Sequence, residues 1–481
     1  MRFRAFLGLS AILLHSPYVG ADYTTTINAK SNRGTWDGWG TSLAWWAREF
    51  GDRTDLADIF FTLTTQTFLG VSLPGLGFNI ARYNAGASSW NTYSGESMVQ
   101  SSNIIKSRQV EGYWQDWGSA DPTSSSWNWA SDRTQRQALT NAMDRGVTRV
   151  ELFSNSPMWW MCKNHNPSGA SDGSENIASW NLEQHAIYMA TVAKYFNDNW
   201  GVQFESVEPF NEPSASWWKA NGTQEGCHID VSTQATVINY LRSHLDSFGL
   251  ESVIAASDES YYDQAVTNLQ TIGSTAISKI ARVNVHGYQY GAGNRNGLYS
   301  LVSGANKALW NSEYGDGTAS GLDLASNLLL DFRWLLPTAW VYWQAVDGDG
   351  WGLVDGDNDS GQLNTVNQKY WVLAQFTRHI RPGMRILDGG SSNVVAAYDS
   401  SSNKLVIVAV NYNTAQYINF DLSSFSKRPA DGTAAVRWST QISGGDRYVQ
   451  HSSDTTISGS KFWSYFSTNN VQTFEVTGVS L

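Results

Sequence analysis

From Trp36 to Gly383, short apolar segments alternate with stretches of helical periodicity. The apolar segments have the length of β-strands and end in polar or glycine-rich loops. Eight strands that alternate with helices predict parallel pairing and closure of the sheet, so we expect a (β/α)8 TIM barrel over residues 36–383. The strand-like segments are Trp36–Ser42, Phe78–Tyr83, Val147–Phe153, Phe204–Phe210, Ser252–Ala256, Arg282–His286, Ala308–Asn311 and Ala339–Trp343.

The pattern changes after Gly383. Strand-like segments such as Val394–Tyr398 and Leu405–Asn411 are separated by clusters of Ser, Asn, Asp and Gly, and helical periodicity disappears. This pattern predicts an all-β sandwich over residues 384–481. The stretch Tyr23–Ala29 is also strand-like but precedes the barrel, so residues 22–35 are expected to pack with the sandwich.

The first residues have the form of a secretory signal. A basic start at Arg2 and Arg4 is followed by the apolar run Ala5–Leu14 and by small residues up to Ala21. We predict that residues 1–21 form a signal peptide and that the protein is secreted and extracellular. No later stretch approaches 18 uninterrupted apolar residues, so no membrane contact is expected.

Composition excludes several function classes. The net charge is −11, charged residues make up 16% of the chain, and there are 23 tryptophans. A nucleic-acid surface needs clustered Lys and Arg, and a disordered chain lacks such an apolar content. The composition suits a neutral ligand with apolar faces, such as a sugar.

The chain has two cysteines, Cys162 and Cys227. In an oxidising compartment they can pair, and we predict a disulfide between them. Free thiols are one alternative. A zinc site with His165 and His228 is another, although adjacent Cys227 and His228 have poor ligand spacing.

Two N-glycosylation sequons fit a secreted protein. They begin at Asn221, in Asn-Gly-Thr, and at Asn358, in Asn-Asp-Ser. Both asparagines are predicted glycan carriers.

Two glutamates stand where barrel enzymes place their chemistry. Glu212 follows the fourth predicted strand and Glu313 follows the seventh. Two facing carboxylates are the minimum apparatus for hydrolysis of a glycosidic bond, since one protonates the leaving oxygen and the other attacks carbon or activates water. The alternative is that each carboxylate only caps or pairs at a strand end.

Several motifs resemble glycoside hydrolase family 30 of clan A. Asn211-Glu212-Pro213 resembles the acid/base motif of the clan, and Glu313 matches the position of its nucleophile. The segments 38–47, 77–84 and 375–383 resemble the first strand, the second strand and the last barrel helix of the fungal branch. The likeness covers essentially the whole mature chain, and among members it is strongest to fungal endo-β-1,6-galactanases. The resemblance implies retention of anomeric configuration.

The resemblance and the chemistry together assign roles. Glu313 is expected to attack the anomeric carbon, and Glu212 to act first as acid and then as base. Asn211 resembles the ligand of the sugar 2-hydroxyl, and Arg82 is expected to orient Glu313. Tyr288 and His286 are candidates to hydrogen-bond the nucleophile. The alternative for Arg82 is a purely structural ion pair, and the alternative for His286 is a buried core histidine.

Aromatic residues that follow the strands are candidates for sugar contacts. Trp343 ends the eighth predicted strand and is the candidate platform under the cleaved sugar. Outer subsites are assigned to Trp46 and Trp159, with core packing as the alternative, and Asn155 is a polar candidate. Trp45 and Trp160 belong to the same two clusters.

Other acidic residues are given structural roles. Glu208 is predicted to be a buried, hydrogen-bonded carboxylate. The run Asp355–Ser360 resembles the start of an EF-hand loop, but Val366 stands where the loop needs Glu. We therefore predict no metal and no cofactor.

These observations predict a secreted, monomeric glycosidase, and the resemblance implies a retaining endo-enzyme that acts on β-1,6-galactan or arabinogalactan side chains. The same scaffold with β-1,6-glucan or glucuronoxylan as substrate is an alternative, but we find no obvious basic cluster for a uronate. A non-catalytic carbohydrate-binding protein is a further alternative.

Overall fold

The structure is a computed structural model that describes residues 22–481. The predicted signal peptide lies outside the described residues. Within them, no helix has both the length and the apolar character needed to cross a membrane.

Eight parallel strands form a closed barrel, in chain order around the ring. Each lies within or overlaps one of the eight segments expected from the sequence, and the fold-class prediction is confirmed. The strands are β1 (Gly38–Ser42), β2 (Ile80–Asn84), β3 (Arg149–Phe153), β4 (Ser206–Glu208), β5 (Val253–Glu259), β6 (Ile280–His286), β7 (Ala308–Tyr314) and β8 (Ala339–Gln344).

Two barrel strands end three residues later than expected. β5 continues past Ala256 to Glu259, and β7 continues past Asn311 to Tyr314. Both extensions carry buried polar side chains, so a search for apolar runs misses them. In both, the pairing with the next strand also shifts register. β4 is shorter than expected, and a brief turn therefore separates it from Glu212.

Helices surround the barrel because each buries an apolar stripe against it. In Leu182–Trp200 the stripe includes Ala186, Met189 and Phe196, and the helix ends at Gly201, whose φ of 65° is easily adopted by glycine. The other α-helices are Trp46–Phe50, Thr54–Phe61, Arg133–Met143, Val231–Ser247, Tyr262–Thr271, Ser274–Lys279, Arg295–Gly304, Leu322–Leu330 and Gln368–Thr377. Short 3₁₀ turns are Lys106–Arg108, Trp159–Met161 and Ser179–Asn181, and Asp331–Leu335 is a π-helical turn.

The C-terminal region consists of two sheets. A six-stranded antiparallel sheet has the order Arg385–Asp388, Val394–Asp399, Lys404–Asn411, Asn470–Thr477, Val436–Gln441 and Val449–His451. A three-stranded sheet has the order Tyr23–Thr26, Gln416–Asp421 and Lys461–Phe466. The first strand of the described chain thus pairs in parallel with a strand that lies almost 400 residues later, as Tyr23 pairs with Ile418.

The six-stranded sheet is covered on both faces. Ile407 and Phe474 face the three-stranded sheet and pack with Phe420. Val408 and Val410 belong to the large core that also contains the barrel helices. The sheet therefore fastens the barrel to the three-stranded sheet.

Short hairpins decorate the loops. They pair Thr65–Phe68 with Val71–Pro74, Thr92–Tyr93 with Glu96–Ser97, and Val354–Asp357 with Gln362–Val366. The last of these contains the run that resembles an EF-hand loop. There the carboxylate of Asp357 accepts hydrogen bonds from the backbone of Asp359 and from Ser360, which closes the turn.

The predicted disulfide is absent, since Cys162 and Cys227 are both free and buried thiols. Each sulfur lies near backbone carbonyls: Cys162 Sγ is 3.7 Å from the Pro157 oxygen, and Cys227 Sγ is 3.4 Å from the His228 oxygen. Burial raises the pKa of both thiols, so both stay neutral.

The two sequons differ in exposure. Asn221 is exposed. Asn358 is buried, and its Nδ2, the atom that would carry a glycan, donates to Gln344 Oε1 and to the Val346 carbonyl. The prediction of a glycan at Asn358 is therefore wrong for the folded chain.

Candidate active site

A cleft of about 620 Å³ lies at the carboxyl ends of the barrel strands and contains both predicted catalytic glutamates. Glu212 follows β4, and Glu313 lies within β7. Aromatic and charged side chains from several loops complete the walls. The cleft is lined by the rings of Trp45, Trp217, Trp218, Tyr288, Trp343 and Trp351 and by Arg108, Asn211, Asp347 and Asp349.

The two glutamates lie close together. One carboxylate oxygen of Glu212, one of Glu313 and one ring nitrogen of His286 all lie within 4.8 Å of one another. In retaining glycosidases the two carboxyl groups are about 5–5.5 Å apart, whereas inverting enzymes need about 6.5–9.5 Å to admit a water. The close approach is therefore typical of the retaining geometry.

Glu313 is held by two donors. The hydroxyl of Tyr288 donates to Oε1 over 2.8 Å, and Nη1 of Arg82 donates to Oε2 over 3.2 Å. Burial raises the pKa of Glu313 to about 7, although the positive charges of His286 and Arg82 oppose that rise. These two cations favour the ionised form of the carboxylate.

Glu212 is positioned through its backbone as well as its side chain. It has a positive φ of 49°, and its amide donates to the Asp258 carbonyl over 2.9 Å. Its carboxylate lies 3.1 Å from His286 Nδ1 and accepts a hydrogen bond of 3.3 Å from Trp217 Nε1. Strand β5 thus fixes where the carboxylate enters the cleft.

His286 lies between three carboxylates. Nδ1 is 3.1 Å from Glu212 and 3.5 Å from Glu313, and Nε2 is 3.2 Å from Asp258. Burial alone would lower the pKa of His286, but the charges of Glu313 and Asp258 raise it well above its usual value. The imidazole is therefore a cation with no free lone pair, so the group suits a proton network better than a metal ion.

Arg82 connects Glu313 to the interior of the barrel. Its guanidinium is fully buried and pairs with Glu151, Asp258 and Glu313. Although burial acts in the opposite direction, the charges of Arg82 and His286 hold the pKa of Asp258 well below its usual value. Asp258 therefore stays ionised and balances both cations.

Residues 20–307 match the model of O-glycosyl hydrolase family 30. The chain belongs to glycoside hydrolase family 30. It is a glycoside hydrolase, and the paired glutamates of the cleft are the groups suited to that reaction.

Three similar proteins illustrate the family. The chain is 56% identical to the endo-β-1,6-galactanase of Hypocrea rufa over 98% of each chain. It is 24% identical to the glucuronoxylanase XynC of Bacillus subtilis, over 72% of this chain and 86% of that one. The catalytic domain of a family 30 xylanase C from Talaromyces cellulolyticus has a similar fold, with a TM-score of 0.69 and 20% identity over 95% of this chain and all of that one.

The polar residues predicted near the nucleophile meet in the family 30 cleft or beneath it. Asn211 lines the cleft, and its Oδ1 has no hydrogen-bond partner within residues 22–481. An unpaired buried amide oxygen next to Glu212 is suited to accept a hydrogen bond from a sugar hydroxyl. Asn155 is also buried without partners for its amide among those residues, but it does not line the cleft.

The aromatic predictions divide into two groups. Trp343 lines the cleft and makes an edge contact with Trp45, with ring centroids 5.0 Å apart. Trp46 and Trp159 do not line it. Trp46 is buried against Phe60 and donates to the Ser42 carbonyl, and Trp159 is buried and donates to Ser89. Both belong to the core, and their assignment to subsites is wrong.

Glu208 is buried beneath the cleft, as the sequence indicated. Its Oε1 accepts from the Phe210 amide over 3.3 Å. Burial, together with the charges of Asp258 and Glu151, raises the pKa of Glu208 well above its usual value, so it stays neutral. A neutral, buried carboxyl that does not line the cleft has a structural role.

Sequence reasoning missed Asp258 and the loop residues of the cleft. Asp258 comes two residues after the predicted end of the fifth strand, and a carboxylate so close to a strand end could have been recognised as a candidate for the same face of the barrel. Trp217, Trp351 and Arg108 lie in long loops, where no periodicity indicates which way a side chain points.

Proposed function

We propose that this family 30 enzyme is a secreted, retaining endo-β-1,6-galactanase. The observation that carries the chemistry is the close approach of Glu212 and Glu313 in an open cleft. The choice of substrate is supported by the 56% identity, over nearly the whole chain, to an endo-β-1,6-galactanase. Secretion rests on the signal-like residues 1–21.

In the first step, a carboxylate oxygen of Glu313 attacks the anomeric carbon of the sugar. A bond forms between that carbon and the glutamate as the glycosidic C–O bond breaks. The proton of Glu212 goes to the leaving oxygen, so the leaving chain departs as a neutral alcohol. The sugar is left as a glycosyl ester of Glu313 with inverted configuration.

In the second step, Glu212 acts as a base. It takes a proton from a water molecule as the water oxygen attacks the anomeric carbon, and the ester bond to Glu313 breaks. A second inversion restores the original configuration. Glu212 is protonated again and Glu313 is ionised again, so both are ready for the next turnover.

Cations and donors around Glu313 support both steps. Arg82 and Tyr288 hold the carboxylate that attacks, and they stabilise it again as it leaves. His286 contacts both glutamates, so its positive charge can stabilise Glu212 each time that residue loses its proton.

The cleft offers aromatic faces for neutral sugars. Trp343 and Trp45 contact each other in the lining of the cleft, and Trp217 also lines it. The axial hydroxyl of galactose leaves one face largely apolar, and an indole covers such a face without the need for hydrogen bonds.

The test is incubation of the enzyme with linear β-1,6-galacto-oligosaccharides, with the anomer of the new reducing end followed by NMR. We expect internal cleavage and a β-anomer that appears first and then mutarotates. No shortened products, or an initial α-anomer, would contradict the proposal. Sequencing of the protein from the culture medium is expected to begin at Asp22.

Glucuronoxylan is the second candidate because the cleft contains a cation. Arg108 lines it, with its guanidinium 4.6 Å from the centroid of Trp45. However, Asp347 and Asp349 line the same cleft, and this acidic pair offsets the attraction for a uronate. A panel of β-1,6-galactan, β-1,6-glucan and glucuronoxylan separates the candidates, and faster cleavage of glucuronoxylan would favour the second.

A further inference from the structure

The outer face of the three-stranded sheet carries three aromatic rings. Tyr417 comes from the middle strand, and Trp463 and Tyr465 come from the edge strand Lys461–Phe466. These three residues are called the sandwich patch below. It belongs to the C-terminal region and shares no residue with the catalytic cleft.

Strand alternation places these rings outside. In Lys461–Phe466, burial alternates strictly: Phe462 and Phe466 lie in the sandwich core, while Trp463 and Tyr465 are 54% and 52% exposed. The core already has its aromatic residues from the same strand. Packing of the sandwich therefore does not explain the outer pair.

The three rings contact one another. The centroid of Tyr417 is 5.3 Å from that of Trp463 and 5.2 Å from that of Tyr465, and Tyr417 lies directly opposite Tyr465 in the ladder. Mutual contact limits the rotation of each ring, so little conformational entropy remains to be lost when a ligand binds.

The rim of the patch is polar and balanced in charge. Asn419 donates to Thr24 over 3.1 Å, and Lys461 lies 3.8 Å from Asp421. Amide, hydroxyl and paired charged groups beside the rings suit a ligand that has many hydroxyls and no net charge.

The area of the patch excludes most protein partners. The half-exposed rings of Trp463 and Tyr465, together with the less exposed ring of Tyr417, offer roughly 200–300 Å². A stable protein–protein interface needs about 800 Å² from each partner. A patch of this size matches a few sugar rings of a chain that continues past it.

We propose that the sandwich patch is a non-catalytic binding site for a neutral polysaccharide, in which Trp463 and Tyr465 lie against the apolar faces of successive sugars. The site holds the polymer on the enzyme while the cleft cuts it. The identity of the polymer as β-1,6-galactan rests on the proposed function, whereas the presence of a glycan site does not.

The test compares polymer retention between matched variants. In a Glu313→Gln background, which prevents cutting, the double variant Trp463→Ala/Tyr465→Ala is run by affinity electrophoresis in gels that contain soluble β-1,6-galactan, arabinogalactan or xylan. Trp180→Ala is the matched control, because Trp180 is 75% exposed and lies outside the patch. We expect retention of the double variant to fall about tenfold and that of the control to stay unchanged.

The same substitutions in the active enzyme provide a second measurement. The double variant is expected to keep kcat/KM on a short oligosaccharide and to lose severalfold on the polymer. Unchanged retention in all three gels overturns the glycan site. So does a change in oligomeric state by sedimentation with retention intact, because a second copy of the chain would then cover the patch.

The two proposals fail in distinguishable ways. If the active enzyme does not cut β-1,6-galactan while the double variant still loses retention on one of the polymers, the proposed function fails and the glycan site stands. If the enzyme cuts β-1,6-galactan and retention is unaffected, the reverse holds.

Discussion

The hydroxyl of Tyr288 donates a 2.8 Å hydrogen bond to Oε1 of Glu313, from the loop after β6 to the strand β7. The donor that holds the Glu313 carboxylate therefore comes from the loop after the neighbouring strand. The position of this donor relative to Glu313 depends on how β6 and β7 are paired, and this pairing shifts register between Val285 and His286.

Replacement of Tyr288 by Phe is expected to lower kcat/KM by about 10- to 100-fold, because a hydrogen bond to a charged group contributes about 1.5–3 kcal/mol. Steady-state kinetics on a galacto-oligosaccharide measure it. Tyr290→Phe in the same loop is the control, since its hydroxyl donates to the Gly315 carbonyl, over 3.3 Å, rather than to Glu313. An equal loss in both variants would assign the effect to the loop rather than to the contact with Glu313.

Glu313→Gln is expected to abolish turnover, with a loss of more than about 10⁴-fold, because the amide cannot form the covalent intermediate. Stability should be kept or raised, because burial raises the pKa of Glu313 to about 7 despite Arg82 and His286, so the folded protein disfavours its negative charge. Initial rates and thermal unfolding provide the measurements. Glu183→Gln, at an exposed position on a barrel helix, should change neither. Residual turnover close to that of the parent would exclude Glu313 as the nucleophile.

His286→Gln is expected to move the acidic limb of the kcat/KM profile to higher pH, by about one unit. The imidazolium lowers the pKa of Glu313 in opposition to burial, so its removal lets that pKa rise. Glu313 then becomes protonated, and inactive, at a higher pH than before. The other charges near Glu313 remain in the variant: Arg82 lowers this pKa, while Glu212 and Asp258 raise it. At high pH Glu313 is ionised in both proteins, so the activity there shows whether the substituted site is intact. An acidic limb that stays in place would show that His286 does not influence ionisation of the nucleophile.

Asp258→Asn is expected to destabilise the protein by about 3–5 kcal/mol, because Arg82 and His286 lose a buried counter-charge. Denaturant unfolding measures the change in free energy. Asp246→Asn removes an exposed pair with Arg242 and should cost less than about 1 kcal/mol. Similar costs for the two variants would mean that the buried network around Arg82 contributes little.

Mass spectrometry of the secreted protein is expected to find a glycan at Asn221 and none at Asn358. The side chain of Asn358 is buried and its Nδ2 already donates two hydrogen bonds, whereas Asn221 is exposed. Asn221→Gln should therefore remove the glycan mass, and Asn358→Gln should leave it unchanged. A glycopeptide that contains Asn358 would contradict the structure of the hairpin after β8.

The barrel was predictable because its signal is local. Each strand is a short apolar run, and strands that alternate with helices have one common closed arrangement. The positions of Glu212 and Glu313 followed from that arrangement, since carboxyl ends of parallel strands meet at one face. The family motifs around Asn211 then connected this face to a reaction.

The direction in which individual loop side chains point was not predictable from the sequence. Trp45 and Trp46 are adjacent, yet one lines the cleft and the other packs against Phe60, because the chain turns into a helix between them. The sequence contains no periodic signal for that choice. The free state of Cys162 was hidden for a similar reason, since disulfide formation depends on the direction of side chains that lie far apart in the chain.

The parallel pair between Tyr23–Thr26 and Gln416–Asp421 has a consequence for the order of folding. During synthesis the first strand emerges long before its partner, while the barrel strands between them meet neighbours soon after they appear. We therefore expect the barrel to assemble first and the three-stranded sheet to close last, once the C-terminal strands have left the ribosome. Until then, the strand Tyr23–Thr26 has no neighbouring strand in a sheet.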